Sequence, residues 1–151
     1  SQLQQLRRAF YGGDVLNQQL LSSIDALRQQ GLKTGLLSNF SGDLRGMLEA
    51  QDLLRRFDRI AISAEIGVMK PDAAAYEAVL AMLALPASAC VFIDDLPANV
   101  AASRALGMNG IVFEDTASCL GTLHGLLPAP PRKINSPAAT YPPSRSPTRQ
   151  R

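Results

Sequence analysis

The chain has 151 residues, of which 46% are hydrophobic and 19% are charged, and its formal net charge is +2 at pH 7. This length and balance suit one globular domain with a buried core and exclude a largely disordered chain. No apolar run approaches the roughly 18–20 residues that span a bilayer, so we expect no contact with a membrane.

The positive charge is confined to the end of the sequence. From Pro128 onward there are five basic residues and no acidic one, so the body has ten basic and thirteen acidic residues and a net charge of −3. Such a body lacks the basic patch with which proteins bind nucleic acid. The Pro-, Ser- and Arg-rich segment 128–151 is predicted to be a disordered tail. Because Cys90 and Cys119 form no disulfide framework, we expect a cytoplasmic protein.

Short apolar runs alternate with segments of helical periodicity along residues 14–127. Asp14 is placed to cap the first predicted helix and Gly31 to end it. In chain order, the predicted elements are a helix over 15–30, a strand over 33–38, a helix from Ser41 or Asp43 to 53, a weaker strand over 60–63, a helix over 71–83, a strand over 91–93, a helix over 97–106, a strand over 110–113 and a helix over 116–126. This alternation predicts an α/β fold with a three-layer, Rossmann-like, mostly parallel sheet and helices on both faces.

Polar residues stand where three of these segments end. Ser38 and Asn39 follow the first long strand, Lys70 precedes the helix that starts at Pro71, and Asp94 and Asp95 end a very apolar strand. Open α/β sheets bind ligands at the carboxyl ends of their strands. A hydroxyl and an ammonium group there can hold an anion, and a carboxylate pair can hold Mg²⁺.

Each of these signals also has an ordinary structural explanation. Ser38 and Asn39 are common turn residues, Lys70 could be a solvated surface lysine, and an aspartate before Pro97 could cap a helix. Capping needs only one aspartate, and two adjacent carboxylates are costly unless a cation or hydrogen-bond donors offset them. The acidic pair is therefore the strongest single signal.

Taken together, the three segments GLKTGLLSN, ISAEIGVMKPDAAAYEAVL and VFIDDLPANVAASRALGMNGIVF resemble the second, third and fourth motifs of the haloacid dehalogenase superfamily. The resemblance covers about residues 14–115 and implies a HAD-like core in a Mg²⁺-dependent phosphatase of a small phosphorylated metabolite. It implies that Ser38 and Lys70 are catalytic and that Ser38, Asn39 and Lys70 bind the substrate. It also implies that Asp94 and Asp95 position Mg²⁺, with Asp95 as the more direct ligand.

The sequence departs from the family at one motif. D-x-D-x-[TV], which supplies the nucleophilic aspartate in such enzymes, does not occur in the 151 residues, and neither Asp14 nor Asp25 follows an apolar strand. We therefore interpret residues 1–13 as a remnant of a helical cap or a linker, and residues 14–127 as a partial HAD-like core. In the resembling fold the missing first strand is central, so we expect this chain by itself to be marginally stable, aggregation-prone or rearranged; a soluble, cooperatively unfolding monomer would contradict this.

Three alternatives remain at this point. The chain could be an inactive domain that binds a partner or a phosphorylated ligand, which fits the missing nucleophile. It could belong to a dehalogenase, which needs no metal and makes less use of the acidic pair. A phosphoacceptor receiver domain also combines an acidic pair with a lysine, but there the acids come first, whereas here Lys70 precedes Asp94. Neither the particular substrate nor the oligomeric state follows from the sequence.

Overall fold

The computed structural model describes residues 11–12 and 15–127. The predicted tail over 128–151 and most of the predicted cap remnant over 1–13 lie outside these residues. The strands are β1 (Tyr11–Gly12), β2 (Val15–Leu16), β3 (Gly35–Ser38), β4 (Arg59–Ile62), β5 (Val91–Asp94) and β6 (Asn109–Val112). The helices are α1 (Gln18–Gln29), α2 (Leu44–Ala50), α3 (Ser63–Ile66), α4 (Ala73–Leu83), α5 (Pro97–Ala105) and α6 (Thr116–Leu126). No helix of the described residues is long and apolar enough to cross a membrane.

The first helix begins later than predicted. Residues 15–16 form β2, which pairs antiparallel with β1, and α1 starts after Asn17, whose side-chain oxygen accepts a hydrogen bond from the Leu20 N–H. Asp14, the predicted cap, lies outside the described residues. The predicted stop is confirmed, because Gly31 has a φ of 89°, a left-handed conformation that glycine adopts without a steric penalty.

Several further boundaries differ from the predictions by a few residues. Helix α2 is capped by Asp43, one of the two predicted starts, since the Asp43 carboxylate accepts from the Gly46 N–H at 2.8 Å, but it ends at Ala50 rather than at 53. Ser63, predicted to end a strand, instead opens the short helix α3. Its hydroxyl accepts from the Phe40 N–H and donates to the Phe40 carbonyl, which joins the loop after β3 to the end of β4.

The strands confirm the parallel α/β architecture but are divided into separate pairs. Strand β3 pairs in parallel with β4, with Ser38 opposite Ile62, and β5 pairs in parallel with β6, with Asp94 opposite Val112. Among the described strands none joins β3 to β5. Within the part of the chain that the structure describes, each of these two strands therefore has one edge without a strand partner.

Side chains that alternate along the strands pack against helices on both faces. Leu36 contacts the core that α1 and α2 form with β4, whereas the next residue, Leu37, packs with α4, α5 and β5. In β5, Ile93 packs on the α1 and α6 side and Phe92 on the α4 and α5 side. Successive side chains of a strand point to opposite faces, and here both sets are apolar and packed against helices, so the three-layer prediction is confirmed.

Two helices connect the strand pairs. Helix α1 places Leu21 in the core beneath β3 and β4 and Leu27 in the core beneath β5 and β6. On the opposite face, α4 lies so close to β3 that a Cβ on Gly35 would be 3.0 Å from Leu83 Cδ1, while Tyr76 from the same helix packs on Phe92 of β5. The two strand pairs are thus held in one unit by helices and side chains.

A hydrogen-bond network around Asp58 fixes the entry into β3, and it gives a pH dependence. The Asp58 carboxylate accepts from the Thr34 N–H at 2.7 Å and from Arg28 of α1 at 3.1 Å. These donors, first the Thr34 amide and then the Arg28 guanidinium, hold the pKa of Asp58 below its ordinary value.

Because this pKa is lowered in the folded state, the carboxylate stabilises the fold above the unfolded-state pKa of about 3.9, and that stabilisation is lost as the pH falls through the folded-state pKa. We expect Asp58→Asn to flatten the decline in the free energy of unfolding below about pH 4. Urea denaturation across the acid range measures this. Thr34→Val is the matched control, since it keeps the backbone donor and should retain most of the decline.

Candidate active site

The candidate site lies at the carboxyl ends of β3 and β5. Ser38 is the last residue of β3, Asp94 is the last residue of β5, and Lys70 lies between α3 and α4. The Lys70 ammonium donates to Asp94 Oδ2 at 2.6 Å, and the two side chains are only 11% and 7% exposed. The structure therefore brings two of the residues singled out in the sequence into a nearly buried ion pair. Lys70 is not a solvated surface lysine.

The Asp94 carboxylate accepts three hydrogen bonds. Besides Lys70, the Leu96 N–H donates to Oδ1 at 2.9 Å and the Asn99 side-chain amide donates to the same oxygen at 3.1 Å. A carboxylate this poorly solvated is tolerated only with such donors. The N-cap of α5 is Leu96, which has no capping side chain, so neither aspartate serves as the helix cap.

Asp95 and Ser38 contrast with Asp94. Asp95 is exposed, and its carboxylate has no hydrogen-bond or ion-pair partner among the described residues. The half-buried Ser38 hydroxyl likewise has none within the part of the chain that the structure describes. Both groups are therefore free to contact a ligand.

No group of three or more His, Cys, Asp and Glu side chains that could hold a metal occurs within residues 11–12 and 15–127. Mg²⁺ does not require such a group, because it is commonly held by one or two carboxylates together with waters and a phosphate. The oxygens of Asp95 and Asp94 are hard ligands of the kind that Mg²⁺ prefers. The donor set fits this metal.

The backbone of Lys70 is held by Asn39. The Asn39 amide donates to the Lys70 carbonyl at 2.8 Å, and its oxygen accepts from the Lys70 N–H, also at 2.8 Å. The Lys70 ammonium also lies 5.6 Å from the centroid of the Phe92 ring, within the range of a cation–π interaction. Asn39 thus contacts the predicted lysine, while its predicted contact with substrate stays a prediction.

Sequence reasoning missed two residues that support Asp94. Asn99 is only 4% exposed, and its backbone carbonyl accepts from the buried Tyr76 hydroxyl at 2.8 Å. The Tyr76 ring meets Phe92 edge-on at 5.1 Å. Burial, and secondarily the charge of Asp94, raises the pKa of Tyr76 to about 12. The only signal in the sequence is that Asn99 is polar in a helix start of small and apolar residues, PANVAA.

Comparison with known proteins places these features in one family. The family model described as a hydrolase, haloacid dehalogenase-like hydrolase, matches residues 3–107. The chain is 32% identical over 113 residues to bifunctional epoxide hydrolase 2 of Rattus norvegicus, covering 72% of this chain and 20% of that protein. It is 32% identical over 94 residues to the phosphatase MT3486 of Mycobacterium tuberculosis, covering 61% of this chain and 43% of that protein.

Solved structures show the same fold. An uncharacterized protein from Corynebacterium glutamicum is 28% identical, with a TM-score of 0.66, and the match covers 77% of this chain and 89% of that one. A HAD family enzyme from Bacteroides thetaiotaomicron, crystallised with magnesium and inorganic phosphate, is 20% identical with a TM-score of 0.59, covering 69% of this chain and 57% of that one.

The chain belongs to the haloacid dehalogenase-like hydrolase family. It spans less than half the length of the two curated relatives described above.

Proposed function

We propose that this chain carries the phosphate- and magnesium-binding part of a Mg²⁺-dependent phosphatase that acts on a small phosphorylated metabolite. The observation that carries the proposal is the Lys70–Asp94 ion pair of 2.6 Å at the carboxyl ends of two strands. Among the described residues, the Ser38 hydroxyl and the Asp95 carboxylate, which is next in sequence to Asp94, have no partner. A cation, a hydroxyl and a free carboxylate in this place suit a phosphoryl group and its metal.

The residues would have different roles according to their charge. The Lys70 ammonium offsets the negative charge of the phosphoryl oxygens, and the Ser38 hydroxyl donates a hydrogen bond to one of them. Asp95, with Asp94, would hold Mg²⁺, which when bound polarises a phosphoryl oxygen as a Lewis acid. Asn39 would act at the same place as part of the substrate-binding loop.

The relatives support the phosphatase assignment over a dehalogenase. One of them is named a phosphatase, and the Bacteroides thetaiotaomicron enzyme of the same fold was crystallised with magnesium and inorganic phosphate. A metal-dependent reaction can use both carboxylates of the pair Asp94–Asp95, whereas a dehalogenase needs no metal.

Cys90 and Cys119 are free and buried, which supports a reducing compartment such as the cytoplasm.

A second function is favoured by one observation. The sequence contains no D-x-D-x-[TV] motif, so these 151 residues supply no aspartate in the expected place for attack on phosphorus. By itself the chain would therefore bind a phosphorylated ligand without turnover. In this proposal residues 14–127 would form the binding core, while the cap remnant or linker over 1–13 and the tail over 128–151 stay predictions from the sequence.

Titration of the chain with inorganic phosphate and with Mg²⁺ tests the proposal. We expect Lys70→Met to weaken phosphate binding by at least tenfold, because a charge-assisted hydrogen bond contributes about 1.5–3 kcal/mol. We expect Asp95→Asn to weaken Mg²⁺ binding while phosphate binding in the absence of metal is kept. Lys33→Met is the matched control, since Lys33 is exposed, precedes the amino end of β3, and donates to the Leu83 carbonyl at 2.8 Å, at the opposite end of β3 from Ser38. Equal phosphate affinity in the Lys70 and Lys33 variants would refute the assignment.

A further inference from the structure

Two asparagines hold the two partners of the Lys70–Asp94 pair from opposite strand pairs. Asn39 follows β3 and makes two hydrogen bonds of 2.8 Å with the backbone of Lys70. Asn99 lies in the first turn of α5, which follows β5, and donates to Asp94 Oδ1 at 3.1 Å. The ion pair joins Asp94 of β5 to the loop that Asn39 ties to the end of β3, and β3 and β5 share no backbone hydrogen bonds among the described strands. Its geometry therefore depends on side-chain supports on each side.

The Asn99 support is itself fixed. Asn99 is 4% exposed, and its carbonyl accepts from the fully buried Tyr76 hydroxyl of α4 at 2.8 Å. Among the described residues, the Asn99 amide and the Leu96 N–H donate to Asp94 Oδ1, while the Lys70 ammonium donates to Oδ2. The amide thus helps to set the rotation of the carboxylate and the direction in which Oδ2 points.

The Asn39 support acts on the main chain. A side-chain amide that both donates to and accepts from one residue restrains that residue's backbone much as a paired strand would. Lys70 has a flexible four-carbon side chain, so fixing its backbone limits the volume that its ammonium group can reach. The Asn39 side-chain amide is therefore already hydrogen-bonded to the Lys70 backbone, and this role does not involve substrate.

We propose that Asn39 and Asn99 are positioning residues: Asn39 places the Lys70 ammonium for the phosphoryl group, and Asn99 places the Asp94 carboxylate for Mg²⁺. The inference rests on the proposed function for the ligands and on the hydrogen bonds for the positioning. It predicts that the two substitutions weaken the binding of different ligands, which a general loss of stability would not do. Removing the Asn39 amide should affect phosphate, and removing the Asn99 amide should affect the metal.

The test uses Asn39→Leu and Asn99→Leu, because leucine has the branched shape of asparagine without its hydrogen bonds. Ser103→Ala is the matched control, since Ser103 is fully buried in the same helix as Asn99 and its hydroxyl donates only to the Val100 carbonyl, at 2.8 Å. Calorimetric titration gives the affinities for inorganic phosphate and Mg²⁺. The NMR signals of the Lys70 ammonium and the Leu96 amide report the pair without any ligand.

We expect Asn99→Leu to weaken Mg²⁺ binding by about 10–100-fold and to speed hydrogen exchange at the Leu96 amide, since loss of an outer partner of a metal ligand typically has this effect on affinity. We expect Asn39→Leu to weaken phosphate binding by about tenfold and to alter the Lys70 ammonium signal. Should Asn99→Leu not fold, the half-buried Asn39 carries the test alone.

Unchanged Lys70 and Leu96 signals in both variants, with affinities equal to those of Ser103→Ala, would overturn the proposal. Equal losses of both ligands in both variants would also overturn it, since they indicate only a weakened fold. If the unchanged chain binds neither ligand, the proposed function fails, and the NMR signals alone still decide whether the asparagines position the pair.

Discussion

Replacing Lys70 with methionine should destabilise the protein by about 3–5 kcal/mol, because it leaves the nearly buried Asp94 carboxylate without its cation. The side chains of the pair are 11% and 7% exposed, so water cannot take the place of the ammonium group. Leu96 and Asn99 still donate to the other carboxylate oxygen, but they carry no charge. Chemical denaturation of the two proteins gives the difference in the free energy of unfolding.

A double variant separates the charge from the packing. Lys70→Met combined with Asp94→Asn removes both charges and keeps an oxygen that can accept from Leu96, so we expect it to recover a large part of the loss. Lys33→Met should lower the free energy of unfolding by only about 0.3–1 kcal/mol, as expected for an exposed ammonium group at the C-terminus of a helix, here α4. A Lys70 variant no less stable than the Lys33 variant would show that the pair is not buried as described.

Replacing Tyr76 with alanine should cost about 3–5 kcal/mol, which is the usual cost of removing a large aromatic side chain from a core. Tyr76 is fully buried, packs on Phe92 at 5.1 Å between ring centroids, and donates to the Asn99 carbonyl. Tyr76→Phe keeps the ring and should cost only about 0.5–1.5 kcal/mol for the lost hydrogen bond. Comparable losses in the two variants would mean that the hydroxyl contributes more than the ring.

The same tyrosine predicts a pH dependence in the alkaline range. Its folded-state pKa of about 12 exceeds the unfolded-state value of about 10, so its contribution to stability is complete below pH 10 and is lost as the pH rises toward 12. We expect the free energy of unfolding of the unchanged protein to fall over this range. In Tyr76→Phe, this part of the decline should be absent, and phenolate absorbance should show one late-ionising tyrosine fewer.

The main features of the site could be predicted because they follow from strand topology. Ser38 and Asp94 end their strands, and the carboxyl ends of parallel strands lie at one edge of a sheet, so the sequence predicts that both lie at the edge where Lys70 is expected. The partner that Lys70 takes was less accessible. Its ion pair with Asp94 depends on how the loop before α4 approaches β5, and that approach is set by tertiary packing.

The remaining differences arise where several residues could serve equally well. Asp14 and Asn17 can both cap a helix, and the short β1–β2 pairing moves the start of α1 to the second of them. Tyr76 and Asn99 lie 23 residues apart in sequence, and no local pattern indicates that the Tyr76 hydroxyl donates to the Asn99 carbonyl. Strands β3 and β5 are not paired with each other among the described strands, and only the family resemblance predicts this. In the resembling fold the strand between them ends in the D-x-D-x-[TV] motif, which these 151 residues do not contain.

The most direct test of the central claim is an assay of phosphomonoester hydrolysis by the protein that the complete reading frame around this chain encodes, with Mg²⁺ and with a chelator. If that frame supplies an apolar strand ending in D-x-D-x-[TV], we expect hydrolysis that requires Mg²⁺ and that Asp95→Asn abolishes. Full activity in the chelator would contradict the Mg²⁺-dependent phosphatase assignment. An intact first motif without any phosphomonoester hydrolysis would also contradict it.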